Sequence, residues 1–110
     1  MPRKRQAAPA VDVARVLKIL GNEARLNIME WLREPARHFG EQPVGTFEDD
    51  GVCVTLIQQK VGLTQSTVSA YLAQLQQAGL LSAKRVGQWT YYRRNEPAIE
   101  ALLADLRERL

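Results

Sequence analysis

The chain has 110 residues, 45% apolar and 25% charged, with 15 Lys and Arg against 12 Asp and Glu, one His and one Cys, for a formal charge of +3. That size and balance fit a small globular domain and argue against a disordered or fibrous chain. A single cysteine excludes an intramolecular disulfide framework and a cysteine-only zinc cage within one protomer.

The first ten residues, MPRKRQAAPA, hold Arg3, Lys4 and Arg5 between Pro2 and Pro9. They read as a mobile basic arm ahead of a single domain at 11–110. No apolar stretch follows the arm, as a secretory signal would require, and no apolar run reaches the roughly 18–20 residues of a membrane span. A cytoplasmic protein without membrane contact is expected.

Val13, Val16, Leu17 and Leu20 recur at helical spacing, and Gly21-Asn22 ends that helix. Asn22 caps a second helix with Ile28, Met29, Trp31 and Leu32 as its apolar face, ending before Pro35. Residues 35–51 carry three glycines, two prolines and four acids without periodicity. They predict an unusually long connection, which either covers an effector site beside a dimer interface or is a neutral insertion. From Val52, VCVTLIQQKVGL places Val54, Ile57 and Val61 on one helical face and stops at Gly62. Thr64 caps the next helix, in which Val68, Leu72 and Leu75 form the apolar register and Gly79 the stop.

Two helices joined by a short glycine-containing turn have the shape of a helix-turn-helix. LLSAKRV and QWTYYRR around Gly87-Gln88 then predict a β-hairpin, with strand packing the expected role of at least one ring of Trp89, Tyr91 and Tyr92. Ile99, Leu102, Leu103, Leu106 and Leu110 stripe a last helix that begins near Pro97. The expected fold class is mainly α: a winged helix-turn-helix of helices 1–4, a two-stranded hairpin wing and helix 5. Trp31 and the last leucine stripe are assigned to core and dimer interface.

Charge follows this organisation. From Gly51 to Asn95 there is no Asp or Glu, while Lys60, Lys84, Arg85, Arg93 and Arg94 give that stretch a local charge of +5. Glu41, Glu48, Asp49 and Asp50 make the long connection acidic, and residues 96–110 carry −2. A basic module between acidic segments that stay clear of phosphate suggests a polyanionic partner.

The fourth helix fits that partner. Its outer face shows Gln65, Ser66, Thr67, Ser69 and Ala70, which are small, polar and uncharged. Short side chains let a helix backbone approach base edges in a major groove, and Gln65 matches an adenine edge. The hairpin offers Lys84, Arg85, Arg93 and Arg94 to the DNA backbone or minor groove.

LGNEARLNIMEWL (20–32), GLTQSTVSAYLAQLQQAGLL (62–81) and KRVGQWTYYRRN (84–95) resemble the ArsR/SmtB group of prokaryotic winged-helix transcriptional regulators. The resemblance covers nearly everything from Val13 to Leu110. It implies a homodimer built from the first and last helices and a partner in double-stranded operator DNA. By position it assigns Gln65, Ser66, Thr67, Ser69 and Ala70 to the groove and Lys84, Arg85, Gln88 and Arg93 to the wing. The family often has a basic residue or His where this chain has Ala70 and Tyr71.

Many members of the group sense metals or metalloids through a Cys-x-Cys pair after the loop. Here Cys53 matches the first position and Thr55 the second, and residues 96–110 lack the His that others use to bind zinc. Zinc takes about four ligands, so no metal or other cofactor is expected; a two-thiol site across a dimer would need further ligands, with His38 and the loop acids as a source. Cys53 is read as a small buried residue, with a thiol sensor or metalloid ligand as alternatives.

The expected function is sequence-specific transcriptional regulation, as a dimeric repressor on an inverted-repeat operator, released by an unidentified signal. The alternatives are a thiol-, redox- or metalloid-responsive regulator acting through Cys53, and a winged-helix protein-interaction module that does not bind DNA. An enzyme is not expected: there is no Gly-rich phosphate loop, no Ser-His-Asp set around the lone His38, and Asp49-Asp50 lie in a loop.

Overall fold

The computed structural model describes residues 12–110; the basic arm read at residues 1–10 lies outside the described residues. The described elements are, in order, α1 (Val13–Leu20), α2 (Glu23–Arg33), α3 (Pro35–His38), β1 (Val52–Cys53), α4 (Val54–Val61), α5 (Gln65–Gln77), β2 (Leu81–Val86), β3 (Trp89–Arg94) and α6 (Glu96–Arg109).

Side-chain caps fix where four of the helices begin. Asp12, Asn22, Thr64 and Asn95 accept from the backbone N–H three residues on, at 3.2, 3.0, 3.3 and 3.4 Å, satisfying donors that the first turn leaves free. Glycine ends α4: Gly62 takes a left-handed φ of 77°. Asn95 also joins two elements. Its backbone N–H donates to Leu80 O and its side chain donates to Gly79 O, which seats the start of α6 on the end of α5.

The apolar registers converge on one core. Val16 of α1, Ile28 and Leu32 of α2, Ile57 of α4, Val68, Leu72 and Leu75 of α5, and Ile99 and Leu102 of α6 are buried together. Each fully buried aliphatic side chain contributes roughly 1.5–3 kcal/mol relative to exposure. Leu17 of α1 and Leu103 of α6, from the stripes assigned to core and dimer interface, lie at the protomer surface, 46% and 52% exposed, as does Leu110.

The sheet has one strand more than the expected hairpin. Its order is β1-β3-β2, antiparallel throughout. Val52 and Cys53 pair with Tyr92 and Tyr91, so α4 starts at Val54 rather than Val52. Gly51 makes this strand accessible to β3: at φ 96° a Cβ there would lie 2.6 Å from Tyr92 O, a contact only glycine avoids. β2 and β3 are joined by Gly87-Gln88 between the paired Val86 and Trp89, and Gly87 alone has positive φ, as a type II′ turn requires.

Strand alternation gives the sheet two faces. Val52, Leu81 and Tyr92 face the helices and join the core. Cys53, Tyr91 and Lys84 form one cross-strand row on the other face, and the long connection covers it.

That connection is ordered rather than irregular. Pro35 starts the extra short helix α3, absent from the five-helix expectation. An edge-to-face series runs from Trp31 to Phe39 and on to Phe47, with Lys60 over the Trp31 ring at 5.0 Å. Gln42 donates to Gly51 O and accepts from Cys53 N–H, each at 2.9 Å. Tyr91 Oη donates to Val44 O at 2.7 Å, and burial pushes its phenol pKa up, so it stays a donor.

Candidate nucleic-acid interface

The helix-turn-helix of α4 and α5 and the hairpin of β2 and β3 carry every residue singled out for DNA. On α5, Gln65, Ser66, Ser69 and Ala70 are exposed, and Ala73 and Gln76 continue the same side. Thr67 is placed differently. It is half-buried, its backbone N–H donates to Thr64 Oγ1, and its own hydroxyl takes a 2.8 Å hydrogen bond from Thr64. Thr67 therefore works on the cap and sets the angle at which α5 begins. No charged residue lies anywhere on α5, so its outward chemistry is confined to amides, hydroxyls and methyl groups.

A residue that periodicity alone did not single out docks this helix. Arg25 of α2 donates through Nε to Ile19 O at 2.6 Å and through Nη1 to Gln74 Oε1 at 2.9 Å. Its guanidinium also lies 4.9 Å from the centre of the Tyr71 ring. One side chain thus joins the end of α1 to two positions of α5 about one turn apart, Tyr71 and Gln74. Bonds from a charged donor are stronger than neutral ones. Arg25→Ala is expected to destabilise the domain by about 1–3 kcal/mol, because it leaves two part-buried acceptors without their charged donor; a urea unfolding curve checks this, and an unchanged midpoint would remove the clamp.

The wing is less open than its sequence suggests. Arg85 and Gln88 are exposed near the hairpin tip, and the only side-chain hydrogen bond of Arg85 among the described residues is to Gly87 O, within the turn. Lys84 instead forms a 2.7 Å ion pair with Asp50, and Arg93 donates to Glu48 O at 3.0 Å. Arg94 is turned away from the wing surface, bound to Glu96 and to Met29 O. The acidic connection, expected to stay clear of the basic module, lies on it. Contacts spanning 34 and 45 residues bring them together, a juxtaposition no local pattern announces. The hydrogen bond from Lys84 is the chief reason the Asp50 carboxyl titrates below the usual aspartate range.

Cys53 caps the start of α4 without a side-chain hydrogen bond and is 1% exposed beneath the connection. Its thiol is free. Among the described residues no group of three or more His, Cys, Asp and Glu is gathered as a metal would require, and His38 lies apart on α3. No helix among them is long and apolar enough to cross a membrane.

These features are shared with known proteins. No family model matches the chain. It is 49% identical over 87 residues to the uncharacterized HTH-type transcriptional regulator YbzH of Bacillus subtilis, covering 79% of this chain and 87% of that one. It is 34% identical over 99 residues to the putative arsenical resistance operon repressor ArsR2 of Halobacterium salinarum, covering 90% of this chain and 71% of the relative. The chain belongs to the ArsR/SmtB family of winged-helix transcriptional regulators. The solved homodimeric winged helix-turn-helix DNA-binding domain Mb0332 of Mycobacterium bovis superposes with a TM-score of 0.61 at 29% identity, over 98% of this chain and 87% of that one. Within the ArsR/SmtB family frame, α4 and α5 are the helix-turn-helix, and β2 and β3 are the wing.

Proposed function

We propose that this regulator works as a homodimer that binds an inverted-repeat operator and represses from it, without catalysing a reaction. The observation that carries the proposal is the exposed, uncharged, hydrogen-bonding side of α5 beside a hairpin tip bearing Arg85 and Gln88. Gln65, Ser66, Ser69 and Ala70 meet base edges in the major groove, Thr67 holds the cap that aims them, and Arg85 and Gln88 meet the backbone. The exposed leucines of α1 and α6, two helices that pack together in the protomer, supply the apolar surface for a second copy. Twofold symmetry sets half-site centres about one helical turn, ~34 Å, apart.

Cys53 is assigned to packing. Its burial beneath the connection and the lack of gathered ligands among the described residues support that reading over thiol or metalloid sensing. The releasing signal is therefore sought elsewhere than at this thiol.

A mobility-shift series on operator and random DNA across a salt range tests the assignment. Ser69→Ala is expected to weaken operator binding more than random-DNA binding, since base contacts carry sequence preference and phosphate contacts do not. Equal losses on both would take Ser69 out of the groove. Arg85→Ala is expected to weaken both and to flatten the salt dependence by about 0.9 in logarithmic slope per protomer contact; an unchanged slope would remove Arg85 from the phosphates. An interaction module that does not bind DNA would show no steep salt dependence with the unaltered protein.

A further inference from the structure

The segment 46–50 presents acceptors to the wing much as a nucleic-acid backbone would. Asp50 Oδ1 sits 2.7 Å from Lys84 Nζ, Asp49 O accepts from the same ammonium at 3.4 Å, and Glu48 O accepts from Arg93 Nη2 at 3.0 Å. The segment is pre-shaped for this. Asp50 N–H donates to Thr46 O and Gly51 N–H to Phe47 O, closing one helical turn, while Asp50 Oδ2 accepts from Thr46 N–H and Asp49 N–H donates to Thr46 Oγ1. A charged oxygen and two carbonyl oxygens thus converge on two cations of the long stretch 51–95, which has no acids of its own.

We propose that residues 46–50 are a built-in phosphate mimic, occupying Lys84 and Arg93 until the backbone of bound DNA displaces them. The inference rests on the DNA-binding reading given above. Release needs residues 46–50 to move, with loss of the edge-to-face contact of Phe47 on Phe39, while the other anchors do not use these cations: Phe39 on Trp31, Gln42 across Gly51 and Cys53, and Tyr91 on Val44. Gly45 and Gly51, at φ 85° and 96°, bracket the moving part. The Lys84 side chain remains 52% exposed within the pair, and surface ion pairs are weak enough to exchange.

The device has a signature in the salt dependence. A phosphate that neutralises a free cation releases a counterion from DNA, which steepens the dependence of affinity on salt. A phosphate that replaces Asp50 at Lys84 also frees a carboxylate next to the DNA, so part of that gain is lost. Lys84 therefore contributes less to the salt slope than Arg85 does, until Asp50 is neutralised.

Operator affinity is to be measured across a salt series for the unaltered protein, for Asp50→Asn, Asp49→Asn and Lys84→Ala, and for Asp50→Asn and Asp49→Asn each combined with Lys84→Ala. Asp49→Asn removes the same charge one residue away, where the contacts run through the backbone. Asp50→Asn is expected to tighten binding up to about fivefold, the strength of an exposed pair, and to steepen the slope, with Asp49→Asn doing less. In the Lys84→Ala background the advantage of Asp50→Asn over Asp49→Asn is expected to vanish. Equal effects of the two substitutions in both backgrounds would reduce the matter to long-range charge and overturn the mimic.

Hydrogen exchange supplies a readout free of substitutions. The amides of Asp50 and Gly51 are expected to exchange faster when operator is added, and unchanged or slower exchange overturns displacement. If the unaltered protein shows no salt-dependent DNA binding, both this inference and the reading beneath it fall; if it binds and the variants behave alike, this inference falls alone.

Discussion

Leu72→Ala is expected to lower the unfolding free energy by about 2–5 kcal/mol, the range for emptying a well-packed core site. Leu72 is fully buried in the middle of α5, where it meets the side chains of α2, α4 and α6 in the common core. A domain of this size has roughly 5–15 kcal/mol in total, so a single methyl-for-isobutyl exchange removes a large share of it. Urea unfolding followed by circular dichroism measures the loss. The exposed neighbour provides the contrast: Ser69→Ala, three residues away at the solvent-facing flank of the same helix, should change the stability by less than about 0.5 kcal/mol. A small effect at Leu72 would mean that α5 is held by Arg25 and the cap rather than by its apolar register.

The second large effect is expected at the surface. Leu17 on α1 and Leu103 on α6, two helices that pack together, are 46% and 52% exposed, and this is the apolar surface that the proposed second copy covers. The double substitution Leu17→Asp with Leu103→Asp is expected to convert the proposed dimer to monomers in sedimentation analysis. Operator affinity should fall roughly 10²–10⁴-fold, because two half-sites no longer act as one ligand. Neither position belongs to the buried core, so the thermal transition of the isolated protomer should survive. A variant that stays dimeric would relocate the interface, and a monomer with undiminished operator affinity would overturn the twofold model.

Most of the helical framework was legible in the sequence, because α1, α2, α5 and α6 each carry both a periodic apolar face and a polar cap, and α4 carries an apolar face and a glycine stop. Asn22, Thr64 and Gly62 mark boundaries through local chemistry alone, and the structure places caps and stops at those residues. The third strand was not legible. Two residues cannot display alternation, and Val52-Cys53 becomes a strand only because Gly51 lets it approach Tyr92. The order of the connection was hidden for a similar reason. Its anchors are Trp31, Gln42, Tyr91 and Lys84, distributed from residue 31 to residue 91 and recognisable only after the sheet forms. Phe39 and Phe47, two aromatic residues in an otherwise polar loop, were the available signal that it packs.

The candidate interface divided in the same way. The outward side of α5 follows directly from the register of Val68, Leu72 and Leu75, so Gln65, Ser66, Ser69 and Ala70 emerge where spacing puts them. Thr67 could not be separated from them by spacing alone, since its role depends on the hydroxyl of Thr64. The wing cations all lie on one hairpin, yet Lys84, Arg93 and Arg94 each have a partner in a different part of the chain, and Arg85 stays within the turn. Composition counts charges, whereas availability depends on what folds against them.

The absence of charge on α5 has a consequence for how such a regulator diversifies. On the proposed reading, attraction to any DNA is carried by the cations of other elements, while preference for one sequence is carried by a few neutral side chains. Exchanges at Gln65, Ser66 or Ser69 can then redirect the protein to a new operator while leaving its sliding, hopping and total occupancy of the chromosome almost unchanged. A duplicated copy could acquire a separate set of target genes in a few substitutions, each tolerated by the fold, without first passing through a form that either clings to all DNA or releases it.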